Sequence, residues 1–185
     1  MDEQTSLVVN TKSKRELVDE LKTLYFSNFS KIISDFGSLD SKILILGISP
    51  VKTHYDSFSK SCFSFDTNLK QTVKSGGVLC KTFDRLGINI DSVLWDNVYK
   101  VPEEMLTEES KDAAIKYITE FIKIINPKII VCLGNDCMTI INRLTIDSKI
   151  LIKKVLHPGA CVRGFYTINE SFHNWKRLNL QEYFK

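Results

Sequence analysis

Lys42-Ile43-Leu44-Ile45-Leu46-Gly47 is a short apolar run closed by glycine and followed directly by Ile48-Ser49-Pro50. A strand with one face in water alternates apolar and polar residues, so this nearly continuous run reads as a strand buried on both faces. Two-sided burial is the habit of parallel sheets held between helices. Working outward, three more strands follow: Ser92 to Tyr99, Lys128 to Gly134, and Ile150 to Leu156, the last ending at His157. Helical spacing fills the intervals. From Lys14 to about Phe36, Leu17, Leu21, Leu24, Tyr25, Phe29, Ile32 and Ile33 fall at helical spacing, with Ser13 and Glu16 as a capping box and Gly37 at the far end. Thr72 to Leu86 is ended by Gly87, and a helix opened by Thr107 with Ser110 or Glu109 is stopped by Asn126-Pro127. Asn135 to Leu144 and Asn169 to Phe184 also read as helical. The predicted fold is α/β: a three-layer α/β/α sandwich with a central, mostly parallel four-stranded sheet.

A length of 185 residues suits a single domain, with residues 1–13 as a loose N-terminal arm. No run approaches the roughly 18 apolar residues needed to span a bilayer. The acidic, polar start Met1-Asp2-Glu3-Gln4-Thr5 is unlike a secretory or transit leader, so an intracellular protein, cytoplasmic or nuclear, is expected, without a membrane partner. Five cysteines (Cys62, Cys80, Cys132, Cys137 and Cys161) are odd in number and hold no Cys-x-x-Cys pair. They read as small buried hydrophobes in a reducing compartment, and no metal or other cofactor is expected. A net charge of +3 is too mild to announce nucleic acid. The Lys149 to Lys154 cluster reads as a solvated face, with nucleic-acid contact as the other reading. Ser75-Gly76-Gly77 lacks the Lys-Ser/Thr that a phosphate-binding P-loop requires.

In parallel sheets, ligands bind beyond the carboxyl ends of the strands. Gly47 to Pro50, Asp96 to Lys100, Gly134-Asn135 and His157 to Arg163 each close or follow a strand, so one edge of the sheet should gather them. Ile48 to about Asn68 shows neither period and is long for a compact domain, which marks a functional or disordered loop.

Taken in order, these stretches resemble the uracil-DNA glycosylase superfamily over about Lys42 to Arg163. Leu46-Gly47-Ile48-Ser49-Pro50 is similar to its first motif, and Cys62-Phe63-Ser64-Phe65 to the segment whose phenylalanine stacks on uracil. Asp96-Asn97-Val98-Tyr99-Lys100-Val101-Pro102 resembles the Asn-Val-Val-Lys stretch of the iron–sulfur branch, and Pro127 to Gly134 the superfamily's third strand. His157-Pro158-Gly159 resembles its last motif, usually His-Pro-Ser.

The resemblance implies a monofunctional, metal-free glycosylase, acting as a monomer on DNA. It would hydrolyse the N-glycosidic bond of uracil or a related deaminated or modified base after drawing that base out of the stack. Phe63 would be the stacking platform, with Phe65 as the alternative. Asn97 would read the base edge, Asp96 being the neighbouring choice, and Gly47 and Ile48 would lend backbone to the base site. His157 would bond the base carbonyl oxygen and stabilise the anionic leaving group. Pro50, Ser75, Pro158, Gly159 and Arg163 would meet the DNA backbone. Relatives carry Asp or Asn at the third position of the first motif, or Glu at the second; Ser49 and Ile48 stand there here. Ser49 would then position a water, with Asp56 or Asp66 supplying a carboxylate. The cysteine spacing does not reproduce the cluster ligands of the iron–sulfur branch.

Blander readings exist for each residue. Phe63 and Phe65 alternate with serine and suit the core face of a small strand; Asn97 suits a turn cap before Pro102, and His157 a loop. Trp95 and Trp175 read as core, and His54 and His173 as surface residues without a role. A second functional reading is a catalytically weak or inactive member that binds DNA or a replication or repair partner. A third is a flavodoxin-like or nucleotide-binding domain with chance motif matches.

Overall fold

The computed structural model describes residues 12–56, 60–65 and 74–184; most of the expected N-terminal arm, Asp66, the side chain of His54 and the expected helix start at Thr72 lie outside that set. Four strands, β1 (Ile43–Gly47), β2 (Leu94–Asn97), β3 (Ile129–Leu133) and β4 (Leu151–Val155), form one sheet in the order β2-β1-β3-β4. Every pairing is parallel. Around it stand α1 (Lys14–Phe26), α2 (Lys52–Tyr55), α3 (Lys74–Leu86), α4 (Glu108–Ile125), α5 (Gly134–Ile141), α6 (Pro158–Val162) and α7 (Ile168–Lys176).

Alternation along the strands builds two cores. Ile43, Ile45, Trp95, Ile129, Val131 and Leu133 pack with Leu79 and Phe83 of α3 and Trp175 of α7. Leu44, Leu46, Leu94, Ile130 and Cys132 pack with side chains of α1, α4 and α5. Helices therefore cover both faces, which is the predicted three-layer sandwich, and the full burial of β1 and β3 is what their unbroken aliphatic runs required. Trp95 and Trp175 are core residues, as read, each within 5.0 Å of the Phe83 ring.

The two edge strands are protected differently. β4 exposes Leu151, Lys153 and Lys154, and lysines on an open edge discourage pairing with another chain. β2 is covered: Trp95 and Phe36 exchange backbone hydrogen bonds of 2.8 and 2.9 Å. Among the described residues no helix is long and apolar enough to cross a membrane.

Several boundaries differ from expectation. α1 keeps the Ser13–Glu16 capping box but ends at Phe26 rather than near Phe36. Beyond it, Ile33 N–H donates to the Lys100 carbonyl (2.8 Å) and Ser34 N–H to that of Lys60 (2.7 Å), so long-range bonds replace helical ones while Ile33 is still fully buried. Thr107 caps α4 through the N–H of Ser110, and Asn126 closes it in the left-handed conformation. The expected last helix is two pieces, α7 and a 3-10 turn over Leu180–Phe184, parted by Asn179 at φ 50°. Cys62–Ser64 is a 3-10 turn, not a small strand.

Candidate functional site

All four strands run the same way, so the turns after β1, β2, β3 and β4 open on one edge. Gly47 pairs in register with Asn97, and Leu46 with Cys132. Val98 and Tyr99 continue the ladder by donating to the carbonyls of Gly47 (3.0 Å) and Ile48 (2.8 Å). Asn97 lies on the same face of β2 as Trp95, whereas Asp96 points to the opposite face, because side chains alternate along a strand.

Gly47 is the pivot. A Cβ built there would lie 3.1 Å from Phe63 Cζ and would overlap Asn97 Oδ1. Glycine is thus required by the close approach of two side chains from distant segments. Phe63 arrives through strained backbone: it sits at φ 57° and Ser64 at φ 58°, a conformation that costs a non-glycine residue about 1–2 kcal/mol. The turn is pinned by Cys62 N–H donating to Ser34 O at 2.9 Å. Phe63 also touches the Phe65 ring (5.6 Å) and the Trp95 ring (6.0 Å). Phe65 packs closer to Trp95 (5.1 Å) and against Phe36 (5.3 Å), so it braces the Phe63 ring.

His157 closes the other side. It is the N-cap of α6, and its Nδ1 accepts from the Gly159 N–H at 3.0 Å. Nδ1 is therefore the unprotonated nitrogen, which leaves Nε2 as an N–H donor. Burial and the positive charge of Arg163 lower the His157 pKa, with Asp136 opposing them, so the ring is held neutral. Gly134, at φ 88°, stands against the imidazole: a Cβ there would be 3.1 Å from His157 Cβ. Tyr166 donates its hydroxyl to the His157 carbonyl, and burial pushes that phenol up to about 12. Strand spacing puts His157 about 10 Å across the edge from Gly47, two strands away.

The remaining site candidates either continue these turns or lie apart from them. Ile48 and Ser49 are half-buried, while Pro50, Pro158 and Gly159 are buried. Ser75 is half-buried in the first turn of α3. Asp56 is exposed, just past α2, and Asp66 is outside the described residues. Asp96, the alternative base reader, is instead completely buried and paired with Lys100. Arg163 is exposed, its guanidinium 5.6 Å from the ring of Phe165, which is itself 76% exposed. Sequence reading assigned no role to Phe165 or Tyr166; neither has periodicity to signal it, and the α6 turn alone places them. A cavity of about 950 Å³ beside α3, lined by Lys81, Asp84 and Asn89 among others, contains none of the candidate base-binding residues.

Among the described residues no three His, Cys, Asp or Glu side chains converge as a metal site. The five cysteines are free thiols, three of them buried, and Cys137 Sγ donates to the Leu46 carbonyl (3.2 Å). This arrangement does not fit an iron–sulfur cluster.

A comparison with curated proteins finds no match. The model of the uracil DNA glycosylase superfamily matches residues 34–179, a span that begins after α1 and holds all four strands and the turns that carry Gly47, Asn97 and His157. The chain belongs to the uracil-DNA glycosylase superfamily.

Proposed function

We propose that the protein is a monofunctional DNA glycosylase that hydrolyses the N-glycosidic bond of uracil or a closely related base, acting as a single-domain monomer. The observation that carries this reading is the convergence of Phe63 and Asn97 on Gly47, across the sheet edge from a neutral histidine with Nε2–H free to donate. A flipped base stacks on Phe63 and is read by the Asn97 amide. As the glycosidic bond breaks, negative charge grows on the base, and the His157 Nε2–H stabilises it at the carbonyl oxygen. A donor preset toward developing charge is worth about 10²–10³ in rate. Arg163 and the exposed Phe165 belong to the DNA side: the guanidinium meets phosphate, and the ring enters the space the base leaves.

Ser49 holds the attacking water, with Asp56 or Asp66 as the source of a carboxylate. Without general-base help, hydrolysis slows by about 10²–10⁴. The second reading, a member that binds DNA but barely turns over, is favoured by one observation: Ile48-Ser49 brings no carboxylate to the turn after β1.

The experiment is incubation of purified protein with an oligonucleotide carrying one uracil, followed by alkali. Cleavage at the uracil by the wild type, reduced about 100-fold or more in His157→Ala, is the expected result. Intact strands at stoichiometric protein would replace this reading with the second.

A further inference from the structure

Asp96 and Lys100 are fully buried and form an ion pair through Lys100 Nζ and Asp96 Oδ1, and the glycosylase chemistry makes no use of it. Stability does not account for such a pair, because apolar side chains of similar volume commonly serve as well or better. Its geometry has a direction. β2 is an edge strand, and backbone groups alternate between its two sides. Trp95 satisfies its outward groups on Phe36, and Val98 turns inward to Gly47. Asn97 N–H instead donates to Asp96 Oδ1 at 2.8 Å. The same oxygen therefore takes both Lys100 and the backbone of the base reader. Asp96 Oδ2 has no hydrogen-bond partner among the described residues, so Oδ1 carries the whole interaction.

The pair is braced both from within the family-matched span and from the residues before it. Lys100 Nζ lies 4.7 Å from the Tyr117 ring centroid, on α4, and the Lys100 carbonyl accepts from Ile33 N–H. Asp35, two residues on, is buried and bound to Lys22 (2.5 Å) and Arg15 (3.0 Å) of α1. Positive and negative groups thus alternate from α1 to the end of β2.

We propose that the Asp96–Lys100 pair is a positioning unit whose Asp96 Oδ1 fixes the Asn97 backbone, so that the Asn97 side chain stays against Gly47 and selects the base. The selectivity part rests on the glycosylase reading; the positioning part does not.

Two charge-free variants separate the possibilities. Asp96→Asn with Lys100→Met keeps an acceptor oxygen for Asn97 N–H, and Asp96→Leu with Lys100→Met removes it. Amide hydrogen exchange at Asn97 should be about tenfold or more faster in the leucine protein than in the asparagine protein. Its preference for uracil over cytosine in matched oligonucleotides should fall about fivefold, the worth of one hydrogen bond, while the asparagine protein retains the preference. Equal exchange in the two folded proteins overturns the proposal, since a purely structural pair would affect both alike. Should the leucine protein not fold, exchange in the wild type decides: an Asn97 amide as fast as that of exposed Glu104 overturns the proposal, and a protected one supports it. A wild type that excises nothing removes the glycosylase reading, while the exchange measurement still judges the positioning unit.

Discussion

At the scale of single residues, His157 and Gly47 carry most of the proposed chemistry. His157 uses Nδ1 to accept from Gly159, so protonation at Nδ1 destroys that bond as well as the neutral state. Because burial and Arg163 lower its pKa, activity should persist below the ordinary histidine value of about 6.5 and fall only where the folded group takes its proton. The linked stability has the same sign: the unfolded chain protonates first, so stability declines as pH falls from about 6.5 toward the folded value. Replacing Arg163 by glutamine removes one of the two lowering causes, and the acid limb of a kcat–pH profile should move upward; an unmoved limb would discard the Arg163 contribution. At Gly47, alanine drives a methyl into Asn97 and Phe63. Excision should fall about 100-fold or more if donor and platform lose their geometry, with a destabilisation of about 1–3 kcal/mol, measured by single-turnover assay and thermal melting. The motif around Gly47 was legible because glycine ends an apolar run. That Asn97 rather than Asp96 meets Gly47 follows from strand parity and the Lys100 contact, and the approach of Phe63 from a turn no periodic pattern describes.

At the scale of elements, helix caps were legible and helix lengths were not. Ser13 and Thr107 act as read, because a cap needs only residues three positions apart. The stretch after Phe26 kept its buried spacing but left the helix for hydrogen bonds to Lys100 and Trp95, partners more than fifty residues away. Asp35 sits in this stretch. Burial pushes its carboxyl up, but Lys22, Lys100 and Arg15 outweigh that and hold it below the usual range. Its stabilisation is therefore present at neutral pH and disappears as pH falls from about 3.9 through the folded value. Asp35→Asn should cost about 3 kcal/mol at pH 7, as expected for a broken buried pair. The loss should shrink in urea titrations at pH 3; an equal loss at both pH values would show that packing, not charge, is responsible.

At the scale of the whole molecule, the parallel strand order β2-β1-β3-β4 brings four separate turns to one edge of the sheet. The same order leaves α6 at the end of β4, with Arg163 and Phe165 exposed just beyond it. If the ring fills the gap of a flipped base, Phe165→Ala should slow excision from duplex DNA about tenfold, a few kcal/mol of unstacking being partly uncompensated. Excision from a single strand should change far less, since there is little stack to open. Equal losses on the two substrates would remove the wedge role. Because Phe165 is exposed, melting temperature should be unaffected, which separates this outcome from misfolding.

The amino-acid sequence by itself determined what depends on near neighbours along the chain. Unbroken aliphatic runs specified β1 and β3 as buried on both faces, periodic spacing located the longer helices between strands, and strand ends marked the edge where polar residues collect. Only the tertiary structure decided what depends on approach between distant segments. It placed Phe63 and Asn97 on Gly47, turned Asp96 inward to Lys100, freed Nε2 of His157 and ended α1 at Phe26. The physical reason is that local patterns record burial and backbone preference. A close contact or a shared proton is set by two pieces of chain that meet only after the sheet has formed.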